Sequence, residues 1–184
     1  MRDRLYVDLA DGTLRLVRLV EAHRDELRAA CALDADIWPI YATSFDPDHF
    51  DASFSALIGN DMRMPYAIFD GDRLIGMTAW LRPDWSAQTA EVGNSYIVPD
   101  VRGSGINRRI KRLMLDHGFS VGLRRVEFRI DERNTRSQAA VAKLGGTKEG
   151  TLRAERIIWT GHRRDTALWS ILADEWTGGL RGRS

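Results

Sequence analysis

Hydrophobic and polar positions follow two periods along this chain, and the switches between them set out the elements. From Thr13 to Val20, Leu14, Leu16 and Leu19 interleave with Arg15 and Arg18, which predicts a strand. Glu21 to Leu33 carries Leu27, Ala30 and Cys31 at helical spacing, and a second helix is predicted over Asp48 to Gly59. Between them, Asp34 to Asp46 has no period but holds Trp38, Tyr41 and Phe45. Pro65–Phe69, Arg73–Leu81 and Thr89–Val98 read as a meander, joined by Asp70-Gly71-Asp72 and by Pro83-Asp84. A helix over 104–120 places Ile106, Ile110, Leu113 and Met114 on one face. Arg125 to Ile130 alternates again, and Asn134 is placed to cap a short helix ending at Gly145. Strands near Thr151–Trp159 and Thr166–Leu172 flank a Thr160-Gly161-His162 turn. The order β-α-α-β-β-β-α-β-α-β-β implies an α/β (α+β) domain, a mixed sheet with helices on both faces.

Composition adds bounds. The 184 residues, 43% hydrophobic and 29% charged, suit one domain over 1–184, with 178–184 expected as a frayed tail. A lone cysteine, Cys31, excludes an intrachain disulfide framework and suits a reducing compartment. Met1-Arg2-Asp3-Arg4 lacks a signal-peptide core and no apolar run reaches membrane-spanning length, so the expectation is a cytoplasmic protein without a membrane partner. The histidines at 23, 49, 117 and 162 show no metal-ligand spacing, and no metal is expected. Net charge is +1, but residues 1–99 sum to −7 and residues 100–184 to +8. A basic half can mean nucleic-acid binding. Here the cations gather around one loop, where a polyphosphate ligand explains them and nucleic acid is not needed.

That loop follows the strand ending at Val98. Pro99-Asp100 stops the strand, and Gly103 and Gly105 bracket Ser104 just before the helix. Glycines let a ligand approach the backbone, and the first N–H groups of a helix have no partners within it. Such a terminus attracts anions, and Arg102, Arg108, Arg109, Lys111 and Arg112 surround it in sequence. No Walker lysine-serine pair and no G-x-G-x-x-G follows, which argues against a P-loop or a dinucleotide fold.

Arg102-Gly103-Ser104-Gly105-Ile106-Asn107 resembles the R/Q-x-x-G-x-G/A pyrophosphate loop of the GNAT acetyltransferase superfamily, with Asn107 in place of the usual final Gly or Ala. The likeness continues through Arg125–Phe128, Asn134–Ser137, Lys143–Gly146, Glu149–Arg153 and Arg164-Asp165, and is similar to the RimJ/RimL-like branch. The resemblance implies a mostly antiparallel GNAT sheet, acetyl-CoA as cosubstrate, and direct acetyl transfer to a primary amine on a small molecule or a protein N-terminus. A homodimer is left open. It implies a cofactor site built from main-chain groups of Ser95, Ile97 and Val98, from the loop Arg102, Gly103, Ser104, Gly105, Ile106 and Asn107, and from Asn134. It further places Trp38, Tyr41 and Trp80 near the acceptor. A non-catalytic acyl-CoA-binding module is the alternative.

Acetyl transfer needs a base for the amine and a proton for the departing thiolate. Glu91 lies eleven residues before Arg102, the separation of the strand glutamate base in several GNAT enzymes. Its other reading is a solvent-facing strand residue. Glu155 competes, though its register places it one residue off, toward the opposite strand face. Ser137 matches the serine proposed in that branch to protonate CoA; it also suits a helix start bonding its own backbone. Cys31 carries no mark of a nucleophile, which favours direct transfer over a covalent enzyme intermediate. Between Arg28 and Arg63, finally, Asp34, Asp36, Asp46, Asp48, Asp51 and Asp61 occur without any Lys or Arg. They predict either an acidic field drawing in a cationic amine or a set of caps and turns.

Overall fold

The computed structural model describes residues 2–177, so the expected frayed tail at 178–184 lies outside the described residues. Eight strands form one sheet in the order β1-β2-β3-β4-β5-β6-β8-β7. They are β1 (Leu9–Asp11), β2 (Leu14–Arg18), β3 (Arg63–Asp70), β4 (Arg73–Asp84), β5 (Thr89–Ile97), β6 (Arg125–Asp131), β7 (Thr147–Ile157) and β8 (Arg163–Leu172). Every neighbouring pair is antiparallel except β5 and β6. The helices are α1 (Arg2–Leu5), α2 (Arg24–Ala32), α3 (Phe50–Ile58), α4 (Ile106–Ser120) and α5 (Thr135–Lys143). The Asp70-Gly71 turn joins β3 to β4 as expected, with Gly71 at φ +60°. The sequence pattern did not announce α1 or β1, each too short to show a period.

Alternation along β4 and β5 sorts side chains between the two faces. On one face, Trp80 packs so closely under α4 that a Cβ on Gly118 would stand 3.0 Å from its ring. Thr78, two residues earlier, reaches Met114 Sδ at 3.7 Å. On the other face the Tyr96 hydroxyl donates to the Ala30 carbonyl of α2 at 2.8 Å. Tyr96 also stacks on Trp38, ring centroids 4.9 Å apart. Trp38, Trp80, Tyr66, Tyr96, Phe50 and Phe54 are fully buried, each contributing on the order of 2 kcal/mol by area. Among the described residues no helix is long and apolar enough to cross a membrane.

Candidate active site

The sheet opens at its one parallel pair. β5 and β6 align only from Thr89 to Glu91 against Arg125 to Glu127. Beyond that both strands run on, β5 to Ile97 and β6 to Asp131, without pairing to each other. A parted pair leaves backbone groups facing a cleft, where a ligand can satisfy them. On its far side β5 stays attached to β4 but bulges. Met77 pairs with Tyr96 and Ala79 with Gly93, so Thr78 alone stands opposite Asn94 and Ser95. Asn94 takes φ +49° to make the extra turn.

The glycine loop closes the top of this cleft. Gly103 and Gly105 hold φ +85° and +88°, and a Cβ on either would meet nothing within 4 Å. Their role is conformational and the space above them is open. Ser104 Oγ donates to the Val101 carbonyl at 2.7 Å and accepts from the Ile106 amide at 3.3 Å. Asn107, next along α4, lies in the first turn, whose amides lack intrahelical acceptors. The loop and first turn therefore fit a pyrophosphate.

The cations are not all where their sequence clustering suggested. Arg102 donates from Nε to the Ile97 carbonyl at 2.8 Å and from Nη1 to the Asp34 carboxylate, and its guanidinium lies over Tyr96. It braces the loop against β5. Arg109 bonds Asp11. Lys111 turns inward and is only 7% exposed. The three β5 positions are also partly spoken for. The Ser95 carbonyl accepts from the Tyr41 hydroxyl at 3.0 Å, the Ile97 carbonyl from Arg102, and the Val98 amide donates to Ile75 at 2.9 Å. What Ser95, Ile97 and Val98 can offer a ligand is narrowed to their remaining main-chain groups.

Glu91 does not face solvent. It is 7% exposed, on the α2 face, and Gly93 makes room for it; a Cβ there would stand 3.1 Å from Oε1. Arg82 Nε lies 3.3 Å and Arg129 Nε 3.9 Å from Oε2, yet that oxygen has no hydrogen bond. The two guanidinium groups are near enough to attract and wrongly aimed to bond. Burial raises the Glu91 pKa, and the attraction of Arg82, Arg129 and Arg156 only partly offsets it.

Glu155 overturns the expectation from register. β7 bulges between Leu152 and Arg156, so that Arg153 to Glu155 lie opposite Asp165 alone, with Ala154 at φ +52°. The Ala154 amide donates to Asp165 Oδ1 at 2.6 Å, which holds the bulge. This cancels the one-residue offset and turns Glu155 toward Glu91, with Arg129 between them, its Nη1 3.6 Å from Glu155 Oε1. The two carboxylates titrate in opposite directions. Hydrogen bonds from Arg156 hold Glu155 down to about 2 against its burial.

Asn134 caps α5 as predicted, its Oδ1 accepting from the Ser137 amide at 3.0 Å. Ser137 is half-buried in that first turn. The aromatic trio divides. Trp38 and Tyr41 meet edge to face at 5.1 Å on the α2 face. Trp80 points to the α4 face and is core, because β4 residues of its parity face away from Glu91. No pattern along the chain points to Trp159, whose Nε1 donates to the Trp38 carbonyl at 3.2 Å from the β7–β8 turn. Two of the six aspartates pair with arginine, Asp34 with Arg102 and Asp51 with Arg24 and Arg28, while Asp46 bonds His49. Those two pairs weaken the expected acidic field without removing it.

A strand bulge, a parted parallel pair and a glycine loop on a helix N-terminus form one continuous site. The acetyltransferase (GNAT) domain family matches residues 13–147. The chain belongs to the GNAT acetyltransferase family. A GCN5-related N-acetyltransferase from Brucella melitensis superposes on this GNAT domain with a TM-score of 0.85 at 25% identity, covering 93% of this chain and 80% of that one. Ribosomal-protein-S5-alanine acetyltransferase from Vibrio fischeri shares the fold at TM-score 0.73 and 20% identity, covering 93% and 99%. Spermidine N-acetyltransferase from Vibrio cholerae, solved with CoA and spermine, does so at 0.72 and 19%, covering 90% and 98%. No protein of curated function matches the sequence.

The residue of this GNAT domain most at odds with its sequence position is Lys111. Its Nζ donates to Thr78 Oγ1 at 3.1 Å and to Ser95 Oγ, at the β5 bulge. One signal was available. Lys111 shares a helical stripe with Leu115 and Gly118, both buried, whereas Arg108 and Arg109 lie on the exposed side.

Proposed function

We propose that this domain is an acetyl-CoA-dependent N-acetyltransferase of RimJ/RimL-like character, acting in the cytoplasm on a primary amine. The observation that carries the reading is a buried carboxylate, raised in pKa, on the face of β5 opposite α4. Acetyl-CoA supplies an acetyl group activated as a thioester. The loop Arg102–Asn107 and the first turn of α4 hold its pyrophosphate, with Asn134 and the β5 main chain along the pantetheine. Glu91 takes the amine's proton, directly or through water, as nitrogen bonds the carbonyl carbon and the C–S bond breaks. Glu155, already fixed by Arg156, orients Arg129 and is the poorer base. Ser137 stands on the α5 lip as one candidate to hand a proton to sulfur. Trp38 and Tyr41 flank the acceptor. Cys31 is buried, which pushes its thiol up and suits direct transfer without a covalent enzyme intermediate.

The acceptor is a protein N-terminus or a small amine such as a polyamine, following what the structural neighbours act on. The test is thiol release from acetyl-CoA with a panel of N-terminal peptides, polyamines, aminoglycosides and amino acids. Turnover with one class supports the reading. CoA binding without turnover on any of them supports the acyl-CoA-binding alternative.

A further inference from the structure

Among the described residues, Lys111 is a buried cation with no carboxylate beside it. Its Nζ contacts are the hydroxyl of Thr78 on β4 and the hydroxyl of Ser95 on β5, and the two hydroxyls lie 2.8 Å apart. From α4 itself, Met114 adds only its sulfur, 3.7 Å from Thr78 Oγ1. Burial alone lowers the Lys111 pKa, to about 7, and no charged group on α4, β4 or β5 contributes to the shift. An apolar side chain of this length would fill the same space without the cost of an unpaired buried charge. The charge sits under the one stretch of β5 that has bulged from β4 and parted from β6. Ser95 is half-buried there, and its hydroxyl accepts from the ammonium and donates to the Gly93 carbonyl at 3.3 Å.

We propose that Lys111, acting through the Ser95 hydroxyl, is the positioning residue that stabilises and protonates the departing thiolate of CoA. The inference rests on the acetyl-transfer reading. As the C–S bond breaks, the electron pair stays on sulfur. Ser95 Oγ gives sulfur its proton and recovers one from the Lys111 ammonium. Lys111 ends neutral and Glu91 ends carrying the amine's proton, and both return to their starting states by exchange with solvent. The direction is favourable, since a thiol of pKa about 8.5 takes a proton from a more acidic ammonium. Ser137 has no such supply: its amide donates to Asn134, and among the described residues no ionisable side chain bonds its hydroxyl.

The test needs neither an acceptor nor turnover. The ionisation of the CoA thiol is followed by thiolate absorbance in CoA bound to the wild type, to Lys111→Met and to Ser95→Ala. In the wild type at pH 6, where Lys111 keeps its proton, the bound thiol should ionise as though its pKa lay about one unit below that of free CoA, a tenfold larger thiolate fraction. Both variants should return it to the free value while CoA affinity holds. Should Lys111→Met fail to fold, Ser95→Ala decides. A wild-type thiol that ionises as in free CoA, or variants matching a shifted wild type, would overturn the proposal. Failure of CoA to bind the wild type would overturn this inference together with the acetyl-CoA reading, whereas bound CoA with an unshifted thiol would overturn this inference alone.

Discussion

The two faces of β5 each bury an ionisable group, and they treat it in opposite ways. On the α2 face Glu91 sits among Arg82, Arg129 and Arg156, within a mesh that also ties Glu127 and Glu155. On the α4 face Lys111 has two hydroxyls and, among the described residues, no counter-charge. Desolvation is the largest influence on both, raising the acid and lowering the base. The surroundings set what each can do. A carboxylate amid misaligned cations can gain and lose a proton without releasing its neighbours. A lone ammonium held by hydroxyls has little but those hydroxyls to pass its proton to. The alternation of a single strand thus keeps the buried acid and the buried base apart by the thickness of the sheet.

The comparison breaks first at Glu91. Glu91→Gln should lower kcat by roughly 10²–10⁴-fold and remove the acidic limb of the pH–rate profile, leaving acetyl-CoA binding intact. The sign follows from the role: the base must be ionised, so activity rises with pH through its raised pKa. A variant with the wild-type rate and profile would move the role to Glu155 or to water. Next comes the loop shared by both faces. Gly105→Glu sets a carboxylate against the phosphates and forces a side chain onto a residue at φ +88°. CoA affinity by calorimetry should fall at least tenfold, about 1.4 kcal/mol.

Glu155→Gln sharpens the contrast between the two carboxylates. Held ionised down to about 2 by Arg156, Glu155 keeps its charge throughout the working range, so its loss should cost less than tenfold in kcat and leave the acidic limb where it was. Its folded pKa is depressed, so its contribution to stability is present above the unfolded carboxylate value and is lost as pH falls toward 2. The smallest effect is on stability, at Lys111. Its folded pKa of about 7 lies below the model-peptide value of about 10.4. Between those values the unfolded chain binds a proton that the folded chain does not, so stability rises with pH across that window. Lys111→Met should raise Tm most below pH 7 and progressively less toward pH 10. Thermal melts at pH 6 and pH 9.5 check it.

The helix at 106–120 and the strand at 125–131 were legible because each holds one period for two turns or more with one face buried. Asn134 was legible because capping is local. What escaped the sequence depended on irregular strands. A bulge adds residues without changing composition, so the offset that seemed to exclude Glu155 was undone at Ala154. The parity that separates Trp80 from Trp38 and Tyr41 needs the pairing of β4 with β5, which no single segment contains. The basic cluster misleads because along the chain Arg109 and Lys111 look alike. Around the helix they face nearly opposite ways, one exposed and one buried.

The bond from Trp159 to the Trp38 carbonyl has a bearing on redesign. The segment from Ala35 to Ile40 is held at Trp38 by the β7–β8 hairpin and at Pro39 by Arg133 of the β6–α5 turn. His49 packs against the same Trp159 ring, centroids 4.9 Å apart. A loop graft at 35–40 alone would leave an indole N–H without its acceptor. The hairpin tip and the aromatic segment therefore form one modular unit, to be exchanged between scaffolds together with the turn that carries Arg133.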